Sequence, residues 1–272
     1  MAEMQAPEER AQESPDAPPA KPRVERGTRP RALSPAASPR SDTKAQATPD
    51  AAARNAPLPP VAIPGMAHWH YTVAALHRGM LITGRAELAW WHDGAQYEAS
   101  LRVDAPPLPA RVQRSIGTLH PQGLAPLRFS DRLRSEEAAH FDRERGRVVF
   151  SSQAAASPLH PGAQDRLSVL LQLAALLPAR PQGWSAGDTL VVQTATTREA
   201  QDWRFTVEGP ENLSLPGGVT AALKVTREPQ REWDPRLELW FVRGADYGLV
   251  RLRLTPPNGE WLDMQWSGTD KG

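Results

Sequence analysis

The sequence predicts a mainly β domain: a strongly curved antiparallel sheet, or an unclosed β-barrel, wrapped around one apolar helix and carried on a disordered N-terminal tail. Three observations carry that expectation. Short runs that alternate apolar and polar residues recur from His68 to Trp266, the period of strands with one buried and one wet face. One segment near residues 164–177 breaks the period and is apolar almost all round. All nine Trp, three Tyr and five Phe lie after residue 64, whereas nearly half of the 28 Pro lie before it.

The third observation sets the domain organisation. Residues 1–64 mix pieces such as Ala17-Pro18-Pro19-Ala20 and Pro57-Leu58-Pro59-Pro60 with scattered charge. Without aromatic side chains such a segment cannot bury enough apolar surface to offset its chain entropy. It reads as a Pro/Ala-rich spacer with partial polyproline II character. Residues 65–272 read as one domain, long enough to enclose a single core.

From His68 onward the strands follow one another through short turns. Trp69–Val73 and Met80–Trp90 form a first pair joined at Arg78-Gly79. His92-Asp93-Gly94-Ala95 is a hairpin signal that returns the chain into Tyr97–Val103. Arg111–Leu119 and Leu127–Arg134 flank Pro121-Gln122-Gly123, and Ala138–Asp142 and Val148–Ser152 flank Glu144-Arg145-Gly146. Further strands are expected over Thr189–Thr194, Trp203–Val207, Val219–Thr226, Leu237–Val242, Leu249–Leu254 and Trp261–Trp266. In the strand from Arg236, the residues Leu237, Leu239 and Phe241 face inward, with Arg236, Glu238 and Trp240 on the wet side.

The helix, expected over about 164–177, follows Gly162 and stops at Pro178. Leu167, Leu170, Leu171, Ala174 and Leu177 make one apolar stripe, and Val169, Leu173 and Leu176 a second. Ser168, Gln172 and Ala175 remain as a narrow polar seam, and substitutions at Ser168 or Gln172 should cost much less than at Leu170 or Leu173. A helix apolar on nearly every side must be enclosed, yet at about 20 Å it is too short to cross a bilayer.

Several chemistries are disfavoured. The net charge of +1, with 32 basic and 31 acidic side chains interleaved, provides no long-range field for nucleic acid or anionic lipid. The absence of cysteine removes disulfides, thiolate nucleophiles and Cys-ligated zinc. His68 and His70 share a strand face and His77 lies nearby, but no further ligand stands at a diagnostic spacing, so no metal is expected. The acids and bases from Ser130 to Glu144 read as cross-strand ion pairs rather than catalytic carboxylates. Nucleophile elbows, zincin motifs and phosphate loops do not occur. No catalytic residue and no cofactor are assigned, and a glycan hydrolase is a distant alternative. Trp90-Trp91 puts one ring on each face of its strand.

The region from about residue 68 to 267 resembles domain-of-unknown-function family 3108, found in envelope proteins of Gram-negative bacteria. The resemblance is carried by Arg128-Phe129-Ser130-Asp131, Ala139-His140-Phe141-Asp142, Gly162–Val169, Trp203–Gly209, Leu237-Glu238-Leu239-Trp240 and Leu249–Leu254 with Asn258-Gly259. It implies a periplasmic or envelope location and no known activity. Members typically carry an export signal or anchor ahead of a Pro-rich spacer, whereas Met1-Ala2-Glu3-Met4-Gln5 shows neither a basic nor an apolar export region. Either an export segment lies upstream or the protein is cytoplasmic.

Two functions follow as expectations. In the first, a non-enzymatic envelope domain holds an apolar, lipid-like or lipoprotein-like ligand between sheet and helix, lined by Leu170, Leu177, Phe205 and Leu239. Ala174 is then the position at which a larger side chain would fill that space. In the second, a structural or interaction module with a packed interior binds an envelope protein or glycan. An apolar cavity inside the domain separates the two.

Overall fold

The computed structural model describes residues 61–180, 182–242 and 248–271. The predicted disordered tail, up to residue 60, lies outside the described residues. The strands are β1 (Ala67–His77), β2 (Met80–His92), β3 (Gln96–Asp104), β4 (Arg111–His120), β5 (Gly123–Arg132), β6 (Glu136–Asp142), β7 (Arg147–Phe150) and β8 (Ser157–Pro158). They continue as β9 (Gln164–Asp165), β10 (Thr189–Ala195), β11 (Ala200–Leu215), β12 (Gly218–Arg227), β13 (Arg236–Val242), β14 (Leu249–Thr255) and β15 (Trp261–Lys271).

All of them join one sheet in the order β8-β7-β6-β5-β4-β3-β2-β1-β15-β14-β13-β12-β11-β10-β9. Each half of the chain is a meander, and the halves meet where β1 pairs antiparallel with β15, from Ala67 opposite Lys271 to Leu76 opposite Trp261. Among the described residues only the β9–β10 pair is parallel. The sheet is not closed on itself: β8 and β9 are its two edges.

Local chemistry explains the hairpins. Arg78 and Gly79 take φ of 50° and 76°, the left-handed pair that a two-residue turn needs to match strand twist. At the next hairpin Asp93 Oδ1 accepts the backbone N–H groups of Ala95 and Gln96, at 2.8 and 2.7 Å, and Gly94 supplies the positive φ.

Strand β11 runs well past its predicted end at Val207. The register shifts between Val207 and Gly209. Gly209 takes φ of 121°, and the resulting bulge lets pairing with β12 continue to Leu215.

The tip of this long hairpin packs on β13–β15. Leu213, Leu215, Ala222, Trp240 and Val250 form a second apolar cluster, with Trp266 against it, and Gly217 N–H donates to the Trp266 carbonyl at 3.0 Å. A Cβ on Gly217 would lie 2.5 Å from the Trp266 ring. Trp240, predicted on the wet face, is therefore buried. Its face is a second packing surface because the hairpin covers it. Its indole N–H donates to Glu211 at 2.8 Å, and Lys224 and Arg251 stand 4.9 and 4.7 Å from its ring centroid. Trp240→Phe removes the hydrogen bond to a charged acceptor and is expected to cost about 1–2 kcal/mol, read as a shift of the urea midpoint at unchanged slope.

Helix α1 spans Ser168–Leu176 and runs into a 3-10 turn over Leu177–Ala179. It starts later than predicted because Gln164 and Asp165 pair with Thr194 and Ala195 of β10. The Asp165 carboxylate accepts the N–H groups of Leu167 and Ser168, at 2.9 and 2.7 Å, and the Ser168 hydroxyl accepts the Asp165 N–H at 2.9 Å. This reciprocal cap starts the helix.

All nine residues of α1 are buried, Ser168 and Gln172 among them. The polar seam is thus no tolerant surface. Gln172 accepts the Leu124 N–H at 2.8 Å and donates to the Gln122 carbonyl at 3.0 Å, tying the helix to the β4–β5 turn. Residues 61–64, read from sequence as tail, are held too. Ala62 N–H donates to the Ala175 carbonyl at 3.1 Å, one of the acceptors that a helix end leaves unpaired. Trp90 Nε1–H donates to the Pro64 carbonyl at 2.9 Å.

Candidate functional site

The interior divides along the strands. In one half, Tyr71, Leu88, Trp90, Tyr97, Phe129, Phe205, Leu239 and Phe241 share one core cluster with the α1 side chains Val169, Leu170 and Leu173. In the other half the same strands line a cavity of about 650 Å³. β1 turns from Tyr71 and Val73 in the core to Ala75 and His77 on the cavity. β3 turns from Tyr97 to Leu101 and Val103, β13 from Phe241 and Leu239 to Leu237, and β14 from Leu249 to Leu252 and Leu254. Leu262 and Met264 of β15 complete the apolar wall, and Leu170 of α1 reaches it from the packed half.

Of the four candidate lining residues, the structure places Leu170 on this cavity. Leu177, Phe205 and Leu239 lie in the packed core and do not line it. Ala174, the predicted filling position, faces a crevice of only about 10 Å³ beside Trp69 and Leu88. Alternation correctly identifies an inward side chain, but carries no information on whether the helix lies across from it.

One side of the cavity is charged. Arg111 binds Asp131 through two hydrogen bonds, at 2.8 and 2.5 Å, and Gln113 adds a third to the same carboxylate at 2.8 Å. Burial pushes the Asp131 carboxyl up. The hydrogen bond and charge of Arg111, helped by Gln113 and Arg166, outweigh it and hold the group below its ordinary range. Arg227 donates to Asp234 at 2.8 Å and to the Pro235 carbonyl at 2.9 Å, and lies over the Trp203 ring at 4.4 Å.

Arg166 is different. Its backbone N–H is fixed to the Ala195 carbonyl at 3.0 Å, but its guanidinium makes no hydrogen bond among the described residues. The nearest carboxylate, Asp131, stands 3.9 Å away and is occupied by Arg111. Burial, reinforced by the charges of Arg111 and Arg227, pushes the Arg166 pKa down to about 10.

Behind this wall, Asp165 is fully buried, and burial pushes its carboxyl up to about 6 against its hydrogen bonds. One of those bonds comes from the Ser115 hydroxyl at 2.6 Å, which also contacts Tyr97 OH at 3.0 Å.

Sequence reasoning did not single out Arg111, Gln113, Arg166 or Arg227. A signal existed in β4: Arg111, Gln113 and Ser115 occupy the inward positions, while Val112 and Ile116 face out. Alternation there is inverted, as polar residues line the interior. Of the histidines and the acid-rich stretch, His77 lines the cavity and Asp131 holds Arg111 on its wall, while other members pair away from it. His70 contacts Asp270 at 2.9 Å and His77 contacts Glu260 at 3.1 Å. Glu137 receives Arg198 and Thr197, and Asp142 receives Arg145 and Arg147. Among the described residues no group of three or more metal-ligating side chains converges.

Residues 70–265, from β1 into β15 and including the whole cavity wall on both strands between those limits, match the family described as protein of unknown function, DUF3108. The chain belongs to the DUF3108 family. No curated protein matches it. The DUF3108 domain is similar in fold to a solved beta-barrel-like protein of domain of unknown function DUF1849 from Brucella abortus. That likeness has 13% identity and a TM-score of 0.51, and covers 78% of this chain and 100% of the other. A DUF1329 family protein from Desulfovibrio piger aligns at 8% identity and a TM-score of 0.28, over 76% of this chain and 86% of that one. At such identities the first likeness establishes a shared barrel-like architecture. No helix among the described residues is long and apolar enough to cross a membrane.

Proposed function

We propose that this DUF3108 domain is a non-enzymatic binding protein of the bacterial envelope, acting in the periplasm. The sheet curves around α1 as an incomplete barrel, with one end filled by the helix and the other kept as a chamber for an apolar, lipid-like ligand. The observation that carries this reading is the cavity of about 650 Å³ walled by Leu101, Val103, Leu237, Leu252, Leu254 and Met264. Its size lies inside the range of about 300–1,000 Å³ for small-molecule sites, which are concave, mainly apolar and largely pre-formed. The envelope location rests on the family resemblance.

Filling the chamber tests the proposal. Ala75→Phe and Leu254→Trp place new volume in the cavity and are expected to lower uptake of a neutral, environment-sensitive apolar dye at least tenfold while leaving the melting temperature in place. Ala174→Phe enters the packed half instead. It should cost about 1–3 kcal/mol by overpacking, with dye affinity retained in the folded fraction. Native mass spectrometry of the gently extracted protein should show a co-purifying lipid. A bare mass together with no dye uptake would overturn the carrier reading and leave an interaction module.

A further inference from the structure

Resting on the carrier reading, we infer that the ligand is an anionic amphiphile: one aliphatic chain lies on the leucine wall and an oxyanion head is received by Arg166. Arg111 and Arg227 each have their own carboxylate, Asp131 and Asp234, at hydrogen-bond distance. Glu199, also on the cavity, is bound by Arg231 at 3.1 Å. Among the described residues two arginines of the cavity, Arg134 and Arg166, make no hydrogen bond; Arg134 is exposed to solvent, whereas Arg166 is largely enclosed, with about a quarter of its side chain accessible.

Leaving a cation in such surroundings is costly, and an internal partner normally offsets that cost. Here the residues that could serve are committed. Asp131 already accepts from Arg111 and Gln113. Asp165 turns its two oxygens to Ser115 and to the first N–H groups of α1. The depression of the Arg166 pKa has the same origin, since burial and two neighbouring guanidiniums all disfavour its charge. An anion placed in the cavity would supply what the protein withholds.

The geometry also gives the ligand a polarity. Arg111, Gln113, Arg166 and Arg227 cluster on the β4, β9–α1 and β12 side, whereas β13, β14 and β15 contribute Leu237, Leu252, Leu254, Leu262 and Met264. A ligand charged at one end and aliphatic along its length satisfies both sides. A guanidinium presents paired N–H donors that suit a carboxylate or a phosphate.

The test compares ligands with one chain and different heads on the full-length protein. Palmitate, hexadecyl phosphate and hexadecanol are titrated, below their aggregation concentrations, as competitors of a neutral apolar dye. At least one of the two anions is expected to compete about tenfold or more strongly than hexadecanol, and the stronger one names the head. In Arg166→Gln that preference should collapse to within about threefold, with hexadecanol affinity unchanged and the melting temperature equal or higher. Arg166→Lys should keep part of it.

Equal competition by all three ligands in the wild-type protein would overturn the inference while leaving the carrier intact. A preference that survives Arg166→Gln would overturn it too, by placing the head elsewhere. Failure of every ligand and of the dye would remove the carrier reading itself.

Discussion

Gln172→Leu is expected to destabilise the domain by about 2–5 kcal/mol, although it replaces a polar residue with an apolar one of similar size in an apolar helix. Gln172 is fully buried, and its amide satisfies two main-chain groups of the β4–β5 turn, the Leu124 N–H and the Gln122 carbonyl. Leucine fills the volume but leaves both unpaired, at about 1–3 kcal/mol each.

The turn cannot easily adjust. Gly123 holds φ of 118°, and a Cβ at that position would lie 2.0 Å from Gln172 Oε1. The glycine is what lets the side chain reach the backbone. Urea unfolding of both proteins measures the difference. A change below about 0.5 kcal/mol would mean that water or the turn itself replaces the lost partners.

Asp165 gives the second large effect, and its sign runs against the usual carboxylate. Its folded pKa of about 6 lies above the ordinary 3.8. Between those values the unfolded chain has released the proton while the folded one keeps it, so stability falls as pH rises through that window. Two units correspond to about 3 kcal/mol, fully present as a deficit above pH 6 and absent below about pH 4.

Asp131 is depressed and contributes in the opposite sense, losing its stabilisation only as pH falls below the ordinary range. The windows are therefore separable. In Asp165→Asn the decline between pH 4 and 7 should vanish, so its stability relative to wild type should change by about 3 kcal/mol across that range. Parallel curves for the two proteins, measured by urea unfolding at successive pH values, would show that Asp165 titrates normally.

Strand positions were legible because alternation is a local property: β1, β2, β3, β13 and β14 stand where the sequence puts them, within a few residues. Turn chemistry at Arg78-Gly79 and Asp93-Gly94 was equally readable. What the pattern missed depends on distant contacts. Trp240 is enclosed by Leu213 and Leu215, brought over it by a hairpin that a bulge at Gly209 prolongs. Ser168 and Gln172 look like a solvent seam until the partners at Asp165, Leu124 and Gln122 are known. Inward orientation alone points to the candidate lining residues Leu170, Leu177, Phe205 and Leu239. Leu237 and Leu239 share that orientation and a strand, yet only Leu237 reaches the cavity. Depth along the strand decides between them.

The β1–β15 ladder has a consequence for how this molecule comes into being. The first and last strands of this sheet in chain order are neighbours at its middle, with His70 meeting Asp270 across 200 positions of chain. All of the intervening loop must be closed before that ladder can form, which places the domain among chains of high contact order that fold slowly. Until Leu262 and Met264 have been added, the apolar wall that they complete stays open to solvent. A nascent chain at that stage exposes Leu252 and Leu254 beside the unpaired edges of β1 and β14, the kind of surface that holdase chaperones recognise.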